Sequence, residues 1–240
     1  MAELIEISGA SYAPSGVPVL DDITFSSSAR RIGIVGRNGS GKTSFARLLA
    51  GLIAADRGSV RVASADVARD RKAALGAVGI LFQNPDHQII FPTVQEEIAF
   101  GLLQMGQSKF DAAKGVAGIL TRFGKTHWAG AAIYRLSQGQ RQLVCLMSVL
   151  AMQPKVIVLD EPFAGLDIPT AAHLTRVLAG VDATLVQITH DPASLQGYDR
   201  VLWLEAGRVA QDGVAADVLA EFSQAMQQLG EDDDLSDLAR

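Results

Sequence analysis

The sequence predicts an α/β fold built on a mainly parallel sheet, with a helical subdomain inserted into it. Three observations carry this. Short, almost wholly apolar runs recur at 32–35, 79–82, 156–159, 184–188 and 201–204, the pattern of strands buried on both faces. Helical segments alternate with them, which is how parallel strands are joined. Between about residues 88 and 153 only helix signals occur.

Each element has a local reason. Residues 4–7 and 17–25 read as the first two strands, separated by a turn through Pro14, Ser15 and Gly16. The strand at 32–35 runs into a glycine-rich loop and a helix over about 42–51, stopped by Gly51. Thr93 followed by Glu96 reads as a capping box opening a helix toward Gly106. Ser108 and Asp111 mark another start, with Gly124 as its stop. Ser137 reads as the N-cap of an apolar helix that ends near Pro154. The acidic run at 231–234 reads as a solvated end.

Composition narrows the function. The 240 residues suffice to bury roughly 70–75% of the unfolded surface in one large or two modest domains. A single cysteine, Cys145, excludes a disulfide framework and a cysteine-based zinc site. Twenty-one Lys and Arg against 26 Asp and Glu argue against a protein that coats nucleic acid, which needs clustered cations. The N-terminus has early glutamates and no basic region, so no signal peptide is expected. The longest mostly apolar uncharged run is 13 residues, at 142–154, whereas a bilayer needs about 20. Any membrane role must come through a partner.

Residues 36–43 read GRNGSGKT, which fits G-x-x-x-x-G-K-[ST] between a buried strand and a helix. Glycines let the backbone curl so that N–H groups share one concavity, and the helix N-terminus adds positive potential. Gly36, Asn38, Gly39, Ser40 and Gly41 would then cradle the phosphates of ATP. Lys42 would reach the β- and γ-phosphates, and Thr43 would place its hydroxyl on Mg²⁺. Downstream, VIVLDE at 156–161 ends a strand in two acids. Asp160 at the carboxyl edge of the sheet can hold Mg²⁺ through water. Glu161 beside it is a natural general base for water attacking the γ-phosphate.

Residues 136–140 read LSQGQ, about 20 residues ahead of Asp160. The arrangement resembles the ATP-binding cassette (ABC) ATPases, whose signature is LSGGQ at this position. Gln138 stands where that pattern has its first glycine, leaving Ser137, Gly139 and Gln140 in place. The resemblance covers residues 3–215 and implies a RecA-like core with a small antiparallel β subdomain and a helical subdomain. It implies a core at about 1–87 and 154–215, helices at about 88–153, and a short C-terminal helix with an acidic tail at about 216–240. It further implies that Gln83 is the Q-loop glutamine sensing Mg²⁺ and the membrane partner. Asp167 is then the D-loop aspartate, and His190 the switch histidine at the γ-phosphate. Tyr12 matches the aromatic that stacks on adenine; by itself it reads as a turn or core residue.

Residues 82–101, FQNPDHQIIFPTVQEEIAFG, closely resemble the Q-loop region of energy-coupling factor (ECF) transporter ATPases and their cobalt-importer relatives. That implies an ATPase driving a transmembrane T component, which serves an S component binding a vitamin or a transition-metal ion. The short stretch after Ala215 resembles dedicated systems, biotin transport among them. Asp86 and Ile89 to Phe91 are expected at the partner's docking surface. A second ATPase subunit is expected, as a homodimer, because Glu161 and His190 are both intact. The chain is expected at the cytoplasmic face of the membrane, held there by its partners. The rivals are another class of ABC importer and a soluble ABC ATPase acting on nucleic acid. The latter would need a long coiled coil or a Cys-x-x-Cys hook between residues 43 and 160, where neither occurs.

Overall fold

In the computed structural model, which describes residues 3–231, the chain begins with an antiparallel pair. Strand β1 (Ile5–Tyr12) and β2 (Leu20–Ser27) are joined through a 3-10 turn at Pro14–Gly16. β1 extends well past the expected residue 7: Ala10 is again buried, with a register shift against β2 on either side of it. Next come β3 (Arg31–Val35) and helix α1 (Lys42–Leu49).

Three elements not read from the sequence follow: β4 (Arg57–Val62), β5 (Ala65–Asp66) and α2 (Arg71–Ala77). In β4 only Val60 and Val62 are buried, too short an apolar pattern to register. Then β6 (Val78–Leu81) leads into α3 (Val94–Gln104), α4 (Lys109–Arg122) and α5 (Gln138–Ala151). The chain returns through β7 (Val156–Asp160), α6 (Ile168–Ala179) and β8 (Thr184–Ile188). It closes with β9 (Arg200–Glu205), β10 (Arg208–Val214) and α7 (Ala215–Glu231). The acidic run at 231–234 lies outside the described residues, apart from Glu231 as the last residue of α7.

The strands form two sheets. One is antiparallel, in the order β2-β1-β4-β5. The other runs β10-β9-β3-β8-β7-β6, parallel except for the β10 edge. Every residue of β7 and β8 is buried, which explains their unbroken apolar sequences. Alternation still divides their faces. Val156, Val158 and Val186 join α1 and the antiparallel sheet in one core. Ile157, Leu159 and Leu185 join α3, α4 and α5 in a second. A third, smaller core sets α7 on β9, with Phe222 edge-on to Trp203 at 5.3 Å.

Helix starts follow their caps with one correction. Ser108 accepts from Asp111 N–H at 3.1 Å, and Ser137 forms a full capping box with Gln140. Thr93 precedes α3 as expected, but its hydroxyl donates to the Glu96 carboxylate and no capping box forms. Its place is taken by tertiary contacts. The Val94 and Gln95 N–H groups donate to the carbonyls of Ala131 and Ala129.

Candidate nucleotide-binding site

Four neighbouring strands, β3, β8, β7 and β6, deliver the chemistry to one edge of the parallel sheet. Their carboxyl ends lead respectively into the glycine-rich loop, His190, Asp160–Glu161 and Gln83. Carboxyl edges are where open α/β sheets bind ligands. Here the four ends enclose a cavity of about 540 Å³, lined by Asn38, Gly39 and residues 41–44 of the loop together with Gln83, Asp160, Glu161 and His190. That volume suits a small-molecule ligand.

The loop owes its shape to two glycines. A Cβ on Gly36 would lie 2.2 Å from the Leu204 carbonyl, so no side chain fits between β3 and β9. Gly41 has φ +98° at the N-cap of α1, a left-handed conformation that other residues rarely adopt. The first bond of α1 runs from Phe45 N–H to the Gly41 carbonyl, which leaves the N–H groups ahead of it without helical acceptors. Together with the helix dipole they form an anion-binding end. The Ser40 hydroxyl is buried there with no protein partner.

Charge is concentrated around this cradle. Lys42 is buried and its Nζ donates to the carbonyls of Gly36 (2.7 Å) and Arg37 (2.8 Å). Burial lowers its pKa, against the opposing attraction of Glu161, Asp160 and Glu205. Asp160 is 6% exposed, and its pKa is raised by burial and then by Glu161, with Arg47 and Lys42 pulling the other way. Such a carboxylate lacks enough cation to offset its desolvation. Glu161 has φ +48°, held by its N–H donating to the Ile188 carbonyl at 3.0 Å. That strained backbone turns its carboxylate into the cavity, with Oε1 2.8 Å from His190 Nδ1.

Other residues singled out from the sequence lie elsewhere. Tyr12 packs half-buried against the first core and does not line the cavity, although Val19, whose N–H bonds the Tyr12 carbonyl, does. Ser137, Gly139 and Gln140 open on a separate cavity of about 350 Å³ beside Pro169 and Thr170. Asp167 caps α6 by accepting from Thr170, which holds its carboxyl below the usual range. Gln138 lies against Gly165, whose added Cβ would sit 3.1 Å from its Nε2. Sequence reasoning missed Val19 and Ser44 of the lining: Val19 belongs to no motif and arrives by tertiary placement, and Ser44 lies one residue past the end of the glycine-rich motif.

The fold and the site define an ABC-type ATPase. The family model described as ABC transporter matches residues 20–164, more than half of the chain. The chain belongs to that family. It is 50% identical to the biotin transport ATP-binding protein BioM of Rhodobacter capsulatus, over 95% of this chain and 97% of the relative. It is 42% identical to the protein of the same name from Rhizobium etli, over 85% and 91% respectively. Among solved structures, cbiO1 of Clostridium perfringens, part of the ABC transporter complex cbiONQ, superposes with TM-score 0.76 at 27% identity. That match covers 95% of each chain.

Proposed function

We propose that this chain is the ATP-hydrolysing subunit of an ECF-type importer, with biotin as the transported vitamin. The observation that carries the chemistry is the single cavity built by four adjacent strand ends. The names of the Rhodobacter and Rhizobium relatives support the cargo. In this reading the loop N–H groups and Lys42 bind the β- and γ-phosphates. Glu161 takes the proton of the attacking water, and His190 holds that carboxylate in place.

The residues present fit Mg²⁺. Thr43, Gln83 and Asp160 offer hard oxygen donors with one carboxylate, and the described residues contain no ready-made cluster of three metal-binding side chains. That suits an ion bound through few protein ligands and the substrate's phosphates. Mg²⁺ would neutralise charge developing on the phosphates. Tyr12 would stack on adenine by turning its ring outward from the hairpin. Tyr12→Ala is then expected to raise the ATP Kd about 5- to 150-fold, from roughly 1–3 kcal/mol of stacking, while Tyr12→Phe is silent. Equilibrium titration decides it; unchanged affinity in a folded Tyr12→Ala chain assigns Tyr12 to the core alone.

The signature residues line a cavity other than the chain's own phosphate cavity, which supports completion of each site by a second copy joined head to tail. No helix among the described residues is long and apolar enough to cross a membrane, so T and S components would supply the passage. The chain would then sit peripherally at the cytoplasmic face. We divide it into a core at about 1–87 and 154–215 and a helical subdomain at about 88–153.

A groove of about 540 Å³ lies between these parts, lined by Leu52, Leu75, Gln88, Phe100, Gln104 and Met152 among others. It is the site proposed for the T component. The apolar anchor expected at Ile89 to Phe91 is divided in the structure. Ile89 packs on the second core, Phe91 meets Phe100 in a tilted pair at 5.1 Å, and Ile90 is left 67% exposed. Asp86 is not free either, since it pairs with Arg141. Ile90→Arg is therefore the cleaner probe, because it adds a cation at an exposed position two residues from Gln88 of the groove without touching phosphate-site residues. Co-purification with the T component and biotin uptake should both fall at least tenfold, a loss of about 1.4 kcal/mol or more, while ATP binding persists. Normal assembly and uptake would count against the importer reading.

A further inference from the structure

Between Phe82 and Phe91 the chain leaves β6, passes Gln83 and reaches the helices. Side chains that belong to no phosphate-binding motif tie this loop down along its length. Gln142 on α5 is 1% exposed, and its Nε2 donates to the Phe82 carbonyl at 3.0 Å, immediately before Gln83. One residue earlier, Arg141 Nε lies 3.2 Å from Asp86 Oδ1, an ion pair too bent to be a hydrogen bond. At the far end Glu97 of α3, 5% exposed, accepts from the N–H groups of Ile90 and Phe91, each at 2.9 Å.

The Gln142 tie is unusual in its cost. Its Oε1 is buried without a partner, so the amide is only half satisfied. An apolar side chain of similar volume would fill the same place with no orphaned acceptor. What the amide adds is its donor to Phe82. Helix α5 is also capped by Ser137, five residues or about 7.5 Å of helix rise from Gln142. One rigid helix thus grips the loop that carries Gln83 and presents the serine that opens on the other cavity.

We infer that Gln142, seconded by the Arg141–Asp86 pair, is a positioning residue that locks the Gln83 loop to the signature helix. Through that tie the Gln83 loop and the Ser137 that the same chain offers to its partner cassette move as one body. The inference rests on the functional reading above, because it needs a second cassette. None of the linking side chains lines the phosphate cavity. Breaking the link should therefore slow turnover and leave nucleotide affinity alone.

The test uses the full-length protein assembled with its membrane partners, and reads kcat for ATP alongside the Kd of a non-hydrolysable ATP analogue. Gln142→Met keeps volume and removes the donor. Its kcat is expected to fall on the order of 10- to 100-fold, the scale of an ångström-sized misplacement, with the analogue Kd within twofold. Asp86→Arg and Arg141→Glu, each at a more accessible position, should lower kcat about 2- to 30-fold, and the double charge swap should restore most of it. A Gln142→Met protein with wild-type kcat, or a kcat loss matched by an equal loss of affinity, overturns the assignment. Should Gln142→Met fail to fold, the swap decides: no recovery in the double variant overturns it. A wild-type assembly with no ATP turnover is a different outcome, because it refutes the functional reading itself.

Discussion

Replacing Glu161 by glutamine is expected to leave ATP binding intact and to lower hydrolysis by about 10²–10⁴-fold, the range of a general base. The geometry makes this substitution unusually clean. Gln keeps the length and planarity of the side chain, and its amide oxygen can still accept from His190 Nδ1, now 2.8 Å from Oε1. The backbone bond from residue 161 to the Ile188 carbonyl is untouched. What is lost is the capacity to take a proton from water. Asp160 gains as well, since after burial the Glu161 charge is what raises its pKa. The phosphate site should therefore hold ATP at least as well as before. With hydrolysis blocked, two copies should remain joined around the nucleotide, and light scattering with Mg²⁺ and ATP should report a doubled mass. Two outcomes bear on separate claims. Wild-type turnover in the assembled transporter would remove Glu161 as the base, whereas a monomeric mass would remove the homodimer.

The parts of this molecule that could be read in advance share a physical property: they are local. Strands β7 and β8 are buried on both faces, so their sequences are apolar throughout and end sharply at polar residues. The glycine-rich loop has its spacing dictated by backbone geometry alone. Strand β4 was invisible for the opposite reason, since only two of its residues are buried and its place is decided by pairing with β1. Thr93 and Glu96 make a sound capping signal, yet the carbonyls of Ala129 and Ala131 supply what the cap would have supplied.

Within the site the same division holds. Lys42, Asp160 and Glu161 were found because each lies at or beyond a strand end in a motif of characteristic spacing, and His190 because the family resemblance implied it. Their meeting in one cavity depends on the strand order β3-β8-β7-β6, which places distant segments side by side. Asp86 looked like a free rim charge because its partner, Arg141, is 55 residues away in sequence. Gln142 looked like one polar residue in an apolar helix; only the fold shows that its donor ends on Phe82. Gln138 is the converse case. Its departure from the signature pattern is plain in sequence, and the structure adds that its amide lies against Gly165.

Lys42→Ala is expected to weaken ATP binding by about 30- to 4,000-fold, the equivalent of about 2–5 kcal/mol for losing one partner of a buried charge pair. Lys42 points along the loop, its Nζ bonded to the Gly36 and Arg37 carbonyls. Burial holds its pKa below the usual 10.5, because the attraction of Glu161, Asp160 and Glu205 does not fully offset desolvation. Between the lowered value and 10.5 the unfolded chain therefore binds more protons at this residue than the folded chain does. The contribution of Lys42 to stability therefore rises with pH across that window, and Lys42→Ala removes it. Phosphate oxygens bound beside Nζ favour its charged form and move the pKa back up, so ATP binding takes up protons in the same window. Calorimetry in buffers of different ionisation enthalpy measures that uptake at alkaline pH in the wild type. It should shrink in Lys42→Ala at nucleotide concentrations high enough to saturate the variant. A Lys42→Ala chain that binds ATP within threefold of wild type, with the proton uptake unchanged, would place the phosphates away from this loop.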